Sequence, residues 1–496
     1  MKRLLPKLTV RLSHCCDWVK SRRLIACIVL ILSGSASYGD PSRLPSLGDA
    51  SSSLISPQLE KRIGQSFLKQ INANLNTVDD PLIKYYVTQQ LGQLAQHSNL
   101  REAILSVVVI DNPSINAFAA PGGVVGINLG LILAAEDVHE YSSVMAHELA
   151  HLSQRHFARG VEEQRRQSLP TLASMIAALI LGAAGGGDAA IAALSTVQAA
   201  AQANQLRFSR ERETEADRIG MNTMARAGLD PNAASRMFER MQRTYRFTRK
   251  PPEFLLTHPL SETRIADARN QAMNFAKQDY EDSLDYQLMR VRTEVHYRKN
   301  HSQGVDTYRK RLQQSTGDLA ASYGLALSMS KLGQHEEALS RVEAVYALNP
   351  QSILYNAAYA ELLIEGARSE QAQSMLRQQL ALNPDNPPLS MLYAKAMIAQ
   401  GRYDDAEATL LNLSKRYPDD VDVWYELAET AGLAGNITGV HLARADFFYL
   451  HGAYHRSIQH LEYAKRLVSR RNPQLQAKLN QRIQDMRTAI RIEQQS

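Results

Sequence analysis

Apolar positions recur at two spacings along this chain, and the change between them divides it. Leu59, Ile63, Phe67 and Ile71 fall on one helical face, and Asp80-Pro81 supplies a cap and a first residue for a second helix. Ile104 to Ile110 is β-rich and short enough for a buried strand. Asn116 to Asn128 holds two short extended runs around a Pro121-Gly122-Gly123 turn, and a long helix is expected from about Asp137 to Gln167. Residues 169–203 are rich in Ala, Leu and Ile and are interrupted by Gly185-Gly186-Gly187-Asp188. Each half is too short for the roughly 20 residues of a membrane span. The pattern fits a helical hairpin that is either buried or in peripheral contact with a membrane or an apolar client. Another helix is expected near 205–227, closed by Gly228.

From about residue 283 the pattern becomes periodic. Pro350, Pro384 and Pro418 recur every 34 residues, and so do Ala338, Ala372 and Ala406. Two markers in one register indicate tetratricopeptide repeats, helical hairpins whose small residues allow close packing and whose stacking buries a continuous core. Degenerate units flank them at 283–316, 419–440 and 441–470. The expected fold is mainly α (α+β), with a catalytic-type domain over 57–280 and an α-solenoid over 283–488.

Composition changes the picture only at the N-terminus. Residues 1–39 carry seven basic residues and one acid, Asp17, which accounts for the whole formal net charge of +6. The remainder is formally neutral, so no electrostatic case for a nucleic-acid partner survives. The basic stretch ending at Arg23, the apolar run Leu24–Leu32 and the small residues Ser33–Gly39 read as a secretory signal, followed by a disordered leader at 40–56. All three cysteines (Cys15, Cys16, Cys27) lie in that signal. A mature exported chain therefore has neither disulfides nor thiolate ligands, and any metal must be held by His and carboxylate.

The chemistry concentrates in Ala146-His147-Glu148-Leu149-Ala150-His151. At about 100° per residue, His147 and His151 sit about 40° apart and one turn separated, so both imidazoles can face one zinc ion. Glu148 lies off that axis, placed to take a proton from water rather than to bind. His139 is about 12 Å away along the axis. His156 falls on the opposite face of a continuous helix and is expected as a solvated surface histidine. Further on, Glu213 and Asp217 share a face at i, i+4, so one could bind the metal while the other accepts the N–H of a ligand histidine. Glu215 points away from that pair. His258, before Pro259 in a loop, could steady an oxyanion or fill the open metal position and hold the site latent. Read alone, 209–217 is an ordinary charged helix and His258 a surface residue. The His pair makes both candidates.

His147-Glu-Leu-Ala-His151, Asn116-Ala-Phe-Ala-x-Pro-Gly-Gly, Ser209-Arg-x-x-Glu213-x-Glu-Ala-Asp217 and Thr257-His258-Pro, with Arg264-Ile265 after them, resemble the zinc metallopeptidases related to HtpX and the CAAX prenyl proteases. The resemblance spans about residues 57–275 and implies a zincin-like domain with a small sheet. It assigns one Zn2+ to His147, His151 and Glu213, the catalytic base to Glu148, and the partner of a ligand histidine to Asp217. It also makes the Pro121–Asn128 segment, with Gly123, Val124 and Val125, the edge strand that pairs with extended substrate. An exported catalytic domain followed by repeats is similar to periplasmic members of that group in Gram-negative bacteria. That likeness implies a role in outer-membrane protein quality control, degrading stalled β-barrel proteins and assisting their assembly, with the repeats docking on the assembly machinery. The alternative is a repeat-based chaperone or scaffold whose zinc site is latent or structural. An intact Glu148 favours the enzyme, since a structural site has no use for a general base.

Overall fold

The computed structural model describes residues 55–101, 103–165, 210–245, 253–276, 278–468 and 472–495. The signal segment 1–39, nearly all of the leader 40–56 and the apolar hairpin 169–203 lie outside the described residues.

Helices α1 (Pro57–Asn74) and α2 (Pro81–His97) each begin with proline, where a missing N–H costs nothing, behind the side-chain caps Ser56 and Asp80. Three strands follow, β1 (Ser106–Ile110), β2 (Ala117–Ala120) and β3 (Val124–Asn128). Their order is β1-β3-β2, with β3 parallel to β1 and antiparallel to β2. This corrects the expectation for Gly123, Val124 and Val125. β3 is the central strand, hydrogen-bonded on both sides, and has no edge to offer. Gly123 adopts φ 83° in the β2–β3 turn, and its carbonyl accepts from the N–H groups of Leu105 and Ser106. The edge beside the candidate site is β2.

A short helix α3 (Leu129–Ala134) leads into α4 (Val138–Ser153), which is capped by Asp137 and buried on all sides from Val138 to His151. The long helix expected to run on to Gln167 stops here. Gln154 and Arg155 turn the chain, Arg155 with φ 50°, and α5 (His156–Arg165) starts in a new direction. A left-handed non-glycine residue is costly without tertiary support. Arg155 has such support: its Nη2 donates to Ile55 O at 2.7 Å and lies 3.3 Å from Glu60 Oε1.

Helix α6 (Arg210–Arg226) packs directly on α4. A Cβ built on Gly220 would lie 3.1 Å from His147 N, so the glycine permits the close approach. Helices α7 (Ala233–Tyr245), α8 (Glu253–Thr257) and α9 (Glu262–Ala272) complete this half.

Helix α10 (Leu284–Tyr297) opens the repeats, followed by α11 (His301–Gln314), α12 (Leu319–Ser330), α13 (His335–Leu348), α14 (Ile353–Glu365), α15 (Ser369–Leu382), α16 (Pro387–Ala399), α17 (Tyr403–Arg416), α18 (Val421–Leu433), α19 (Ile437–Leu450), α20 (Tyr454–Leu467) and α21 (Pro473–Gln495). One apolar core runs from Val78 through the sheet and α4 into α10 and on to Ala396. Tyr286 of α10 is fully buried beside Tyr86 and Tyr141, and its hydroxyl donates to Ile132 O at 2.9 Å. The solenoid curves back over α1 and α2: Lys84 pairs with Asp420 and Asp422, and Asn72 donates to Leu450 O. No described helix is long and apolar enough to cross a membrane.

Candidate metal centre

Four buried side chains, His147, His151, Glu213 and His258, bring one ligand atom each within 4.8 Å of one another. His147 Nε2 is 3.0 Å from His151 Nε2, 3.3 Å from His258 Nδ1 and 3.5 Å from Glu213 Oε2. Glu213 Oε1 is 3.5 Å from His151 Nε2 and 3.2 Å from His258 Nδ1. A tetrahedral site with bonds of about 2.0–2.1 Å has edges of about 3.3–3.4 Å. The spacing therefore fits a single small metal ion. The charge fits as well: the carboxyl groups of Glu213 and Glu148 are buried, that of Asp217 keeps 9% exposure beside them, and Arg264 is the guanidinium that touches Glu213 and Asp217. Buried negative charge of that kind calls for a cation.

The elements explain the convergence. The two histidines of α4 face one side by helical pitch, and Gly220 seats α6 so that Glu213 comes alongside them. His258 follows α8, its N–H donating to Phe254 O at 2.8 Å and its ring stacked on Phe254. Arg264, in the first turn of α9, holds Asp217 with two bonds of 2.8 and 2.9 Å, contacts Glu213 at 2.9 Å and donates to Pro259 O at 2.9 Å. It thus ties the His258 loop to both carboxylates. Its position in the motif was visible in the sequence, but this function was not.

The supporting contacts orient the rings. Asp217 Oδ1 lies 2.9 Å from His147 Nδ1. Burial works against charge on His147, but Asp217 and Glu213 outweigh it and push its pKa up to about 10. Burial likewise opposes ionisation of Glu213, yet His258 and His147 hold its carboxyl well below the usual range. His151 is driven well below the ordinary imidazole value, chiefly by burial. Glu148 is raised by burial, with His258 and His147 opposing. Its carboxylate accepts from Ala119 N–H of β2, while Oε1 is buried without a hydrogen bond, 3.4 Å from His258 Nε2.

His156 is not the solvated residue expected from a continuous helix. It is fully buried, and its Nδ1 lies 2.8 Å from His151 Nδ1. The α4–α5 break carries it to the metal side. Its Nε2 is 3.2 Å from Glu215 Oε2, which also receives Arg159 Nη1 at 3.0 Å. Glu215 stays apart from the Glu213–Asp217 pair and meets this histidine instead. His139 is remote from the cluster and bonds to Glu281 O and Asp230 N.

A buried His-Glu-x-x-His pair, two more converging donors and a carboxyl beside them define a metallopeptidase site, here continuous with helical repeats. Residues 81–272 match peptidase family M48, and 362–429 match a tetratricopeptide repeat. A Vibrio cholerae protein assigned as a β-barrel assembly-enhancing protease is 33% identical over 448 residues, covering 90% of this chain and 92% of its own length. The β-barrel assembly-enhancing protease of Escherichia coli K12 is 32% identical over 337 residues, covering 67% of this chain and 68% of its own. The mitochondrial metalloendopeptidase OMA1 of Schizosaccharomyces pombe is 32% identical over 216 residues, covering 42% of this chain and 60% of its own. The chain belongs to the M48 metallopeptidases of the β-barrel assembly-enhancing protease family.

Proposed function

We propose that the protein is a zinc endopeptidase of the periplasm that cleaves outer-membrane β-barrel proteins whose assembly has stalled, with the repeats docking on the assembly machinery. The carrying observation is the buried four-donor cage with Glu148 beside it. The E. coli relative's name supplies the client class. His147, His151 and Glu213 would hold the zinc, which when bound supplies Lewis acidity to polarise the scissile carbonyl and acidify the attacking water.

The chain's own groups do the rest. Glu148, its pKa raised by burial, takes the proton of the attacking water and returns it to the leaving amine. The N–H of Ala119 fixes that carboxylate and couples the base to β2, the edge along which an extended substrate would lie. Asp217 and Arg264 hold His147 and Glu213 in place.

His258 has two candidate roles, and its position supports the latch over oxyanion stabilisation. With its Nδ1 among the other three ligand atoms, the cage offers four protein donors, the number of a closed site. A catalytic site keeps one position open for water and substrate. On this reading His258 swings out before turnover, and the arrangement with His258 in the cage is the latent form.

The test is zinc content and casein cleavage of the mature protein, wild type beside Glu148→Gln. Zinc in both is expected, with the turnover of the variant lowered about 10²–10⁴-fold. Equal cleavage by the two would remove Glu148 as the base.

A further inference from the structure

His151 and His156 face each other through like atoms, Nδ1 to Nδ1 at 2.8 Å. Only one proton can lie on that line: two lone pairs would repel and two N–H groups would clash. Two arrangements remain for neutral rings. In the first, His151 donates from Nδ1, His156 accepts at Nδ1 and donates from Nε2, and His151 Nε2 presents a lone pair to the cage. In the second, His156 donates from Nδ1. His151 would then carry its proton on Nε2, pointing at the metal position, and the Nε2 lone pair of His156 would face a carboxylate.

Glu215 decides between them. Its Oε2 lies 3.2 Å from His156 Nε2, and Arg159 at 3.0 Å keeps that oxygen in a salt bridge. An ionised carboxylate can only accept, so His156 must place its proton on Nε2. We propose that His156 and Glu215 form a relay that fixes the tautomer of His151, so that both are positioning residues for a metal ligand they never touch through the metal. The inference rests on the metal-site reading above. The fold supports the relay at a cost: Arg155 is held at φ 50° by contacts with Ile55 and Glu60, and that turn delivers a fully buried His156 to His151. A ligand histidine more often rests on a carboxylate or a carbonyl. Here an imidazole stands between, and the carboxylate acts one ring away.

The experiment measures zinc dissociation constants of the full mature chain by competition with a chromophoric chelator. Wild type is compared with Glu215→Gln, His156→Asn and the double variant, with circular dichroism confirming the fold of each. Glutamine can donate to His156 Nε2 and release the tautomer, so E215Q is expected to bind zinc about 10–100-fold more weakly. Asparagine can accept from His151 through its carbonyl without needing Glu215. H156N should therefore stay close to wild type, and adding E215Q to it should cost nothing more. E215Q binding as tightly as wild type overturns the relay, as does an undiminished E215Q loss in the H156N background. A wild type that binds no zinc would instead overturn the metal-site reading. An independent readout needs no variant: after zinc is removed by chelation and the fold confirmed by circular dichroism, ring 15N correlations of the wild type must show the shared proton on His151 Nδ1, and a proton on His156 Nδ1 overturns the proposal.

Discussion

Arg292 of α10 is the most informative single perturbation of the fold. Its buried guanidinium contacts Asp80 Oδ2 at 2.5 Å, Glu361 at 2.7 and 2.8 Å, and Tyr323 Oη at 2.8 Å. Asp80 caps α2 of the peptidase half through its other oxygen, and Glu361 belongs to the repeats. One cation therefore joins both halves to the helix between them. Arg292→Met keeps most of the volume and strands two carboxylates. Removing one partner of a buried pair costs about 3–5 kcal/mol. Asp80 and Glu361 retain 18% and 24% side-chain exposure, so water can recover part of that, and about 2–4 kcal/mol is expected. Urea unfolding of a chain prepared without residues 1–39, in which Trp424 is the one tryptophan, should be followed by circular dichroism and by the fluorescence of that repeat residue. Both transitions should shift together, because the core that spans both halves runs to Ala396 in α16, the helix whose Met391, Ala394 and Met397 begin the apolar cluster on which Trp424 packs. Adding Glu361→Gln should restore part of the loss, since one stranded carboxylate, Asp80, then faces the gap instead of two. A loss below about 1 kcal/mol, or a repeat transition that separates from the rest in wild type, would refute the shared-core reasoning.

Further outcomes follow from the same structure. His258→Ala should leave zinc bound by the remaining three ligands and raise basal casein cleavage several-fold; unchanged or lower cleavage would end the latch reading. Asp230 offers a pH test. Burial raises its pKa, but Arg236 and Asn232 outweigh burial and hold the carboxyl below its ordinary value. Its contribution is thus present above the ordinary carboxylate pKa and lost as pH falls through the depressed one. With Arg236 40% exposed, Asp230→Asn should cost about 1 kcal/mol at neutral pH. The difference from wild type should narrow as pH falls below the ordinary carboxylate range, and a gap that did not narrow there would show the loss to be packing rather than charge.

Some of this molecule was legible without coordinates because helical pitch is rigid over short distances. Four residues along α4 bring His147 and His151 to one side, with Glu148 beside them. Four along α6 put Glu213 and Asp217 on one face, and a 34-residue period in two markers laid out the repeats. What depended on distant contacts was not legible. No glycine marks the break after α4, because Arg155 is held left-handed by Ile55 and Glu60, nearly a hundred residues earlier. A continuous helix therefore sends His156 to solvent, when the chain in fact buries it against His151. The local pattern around Pro121–Asn128 shows two extended runs but not which neighbours they pair with. Only the return of β1 alongside β3 makes Val124 and Val125 central and leaves β2 at the edge. The shift to repeat periodicity near residue 283 is real in sequence, yet Tyr286 and Arg292 carry the core across it. Local spacing determined which side chains could act together. The tertiary structure decided which of them do, because strand order, helix breaks and shared cores are set by contacts that no neighbouring residue records.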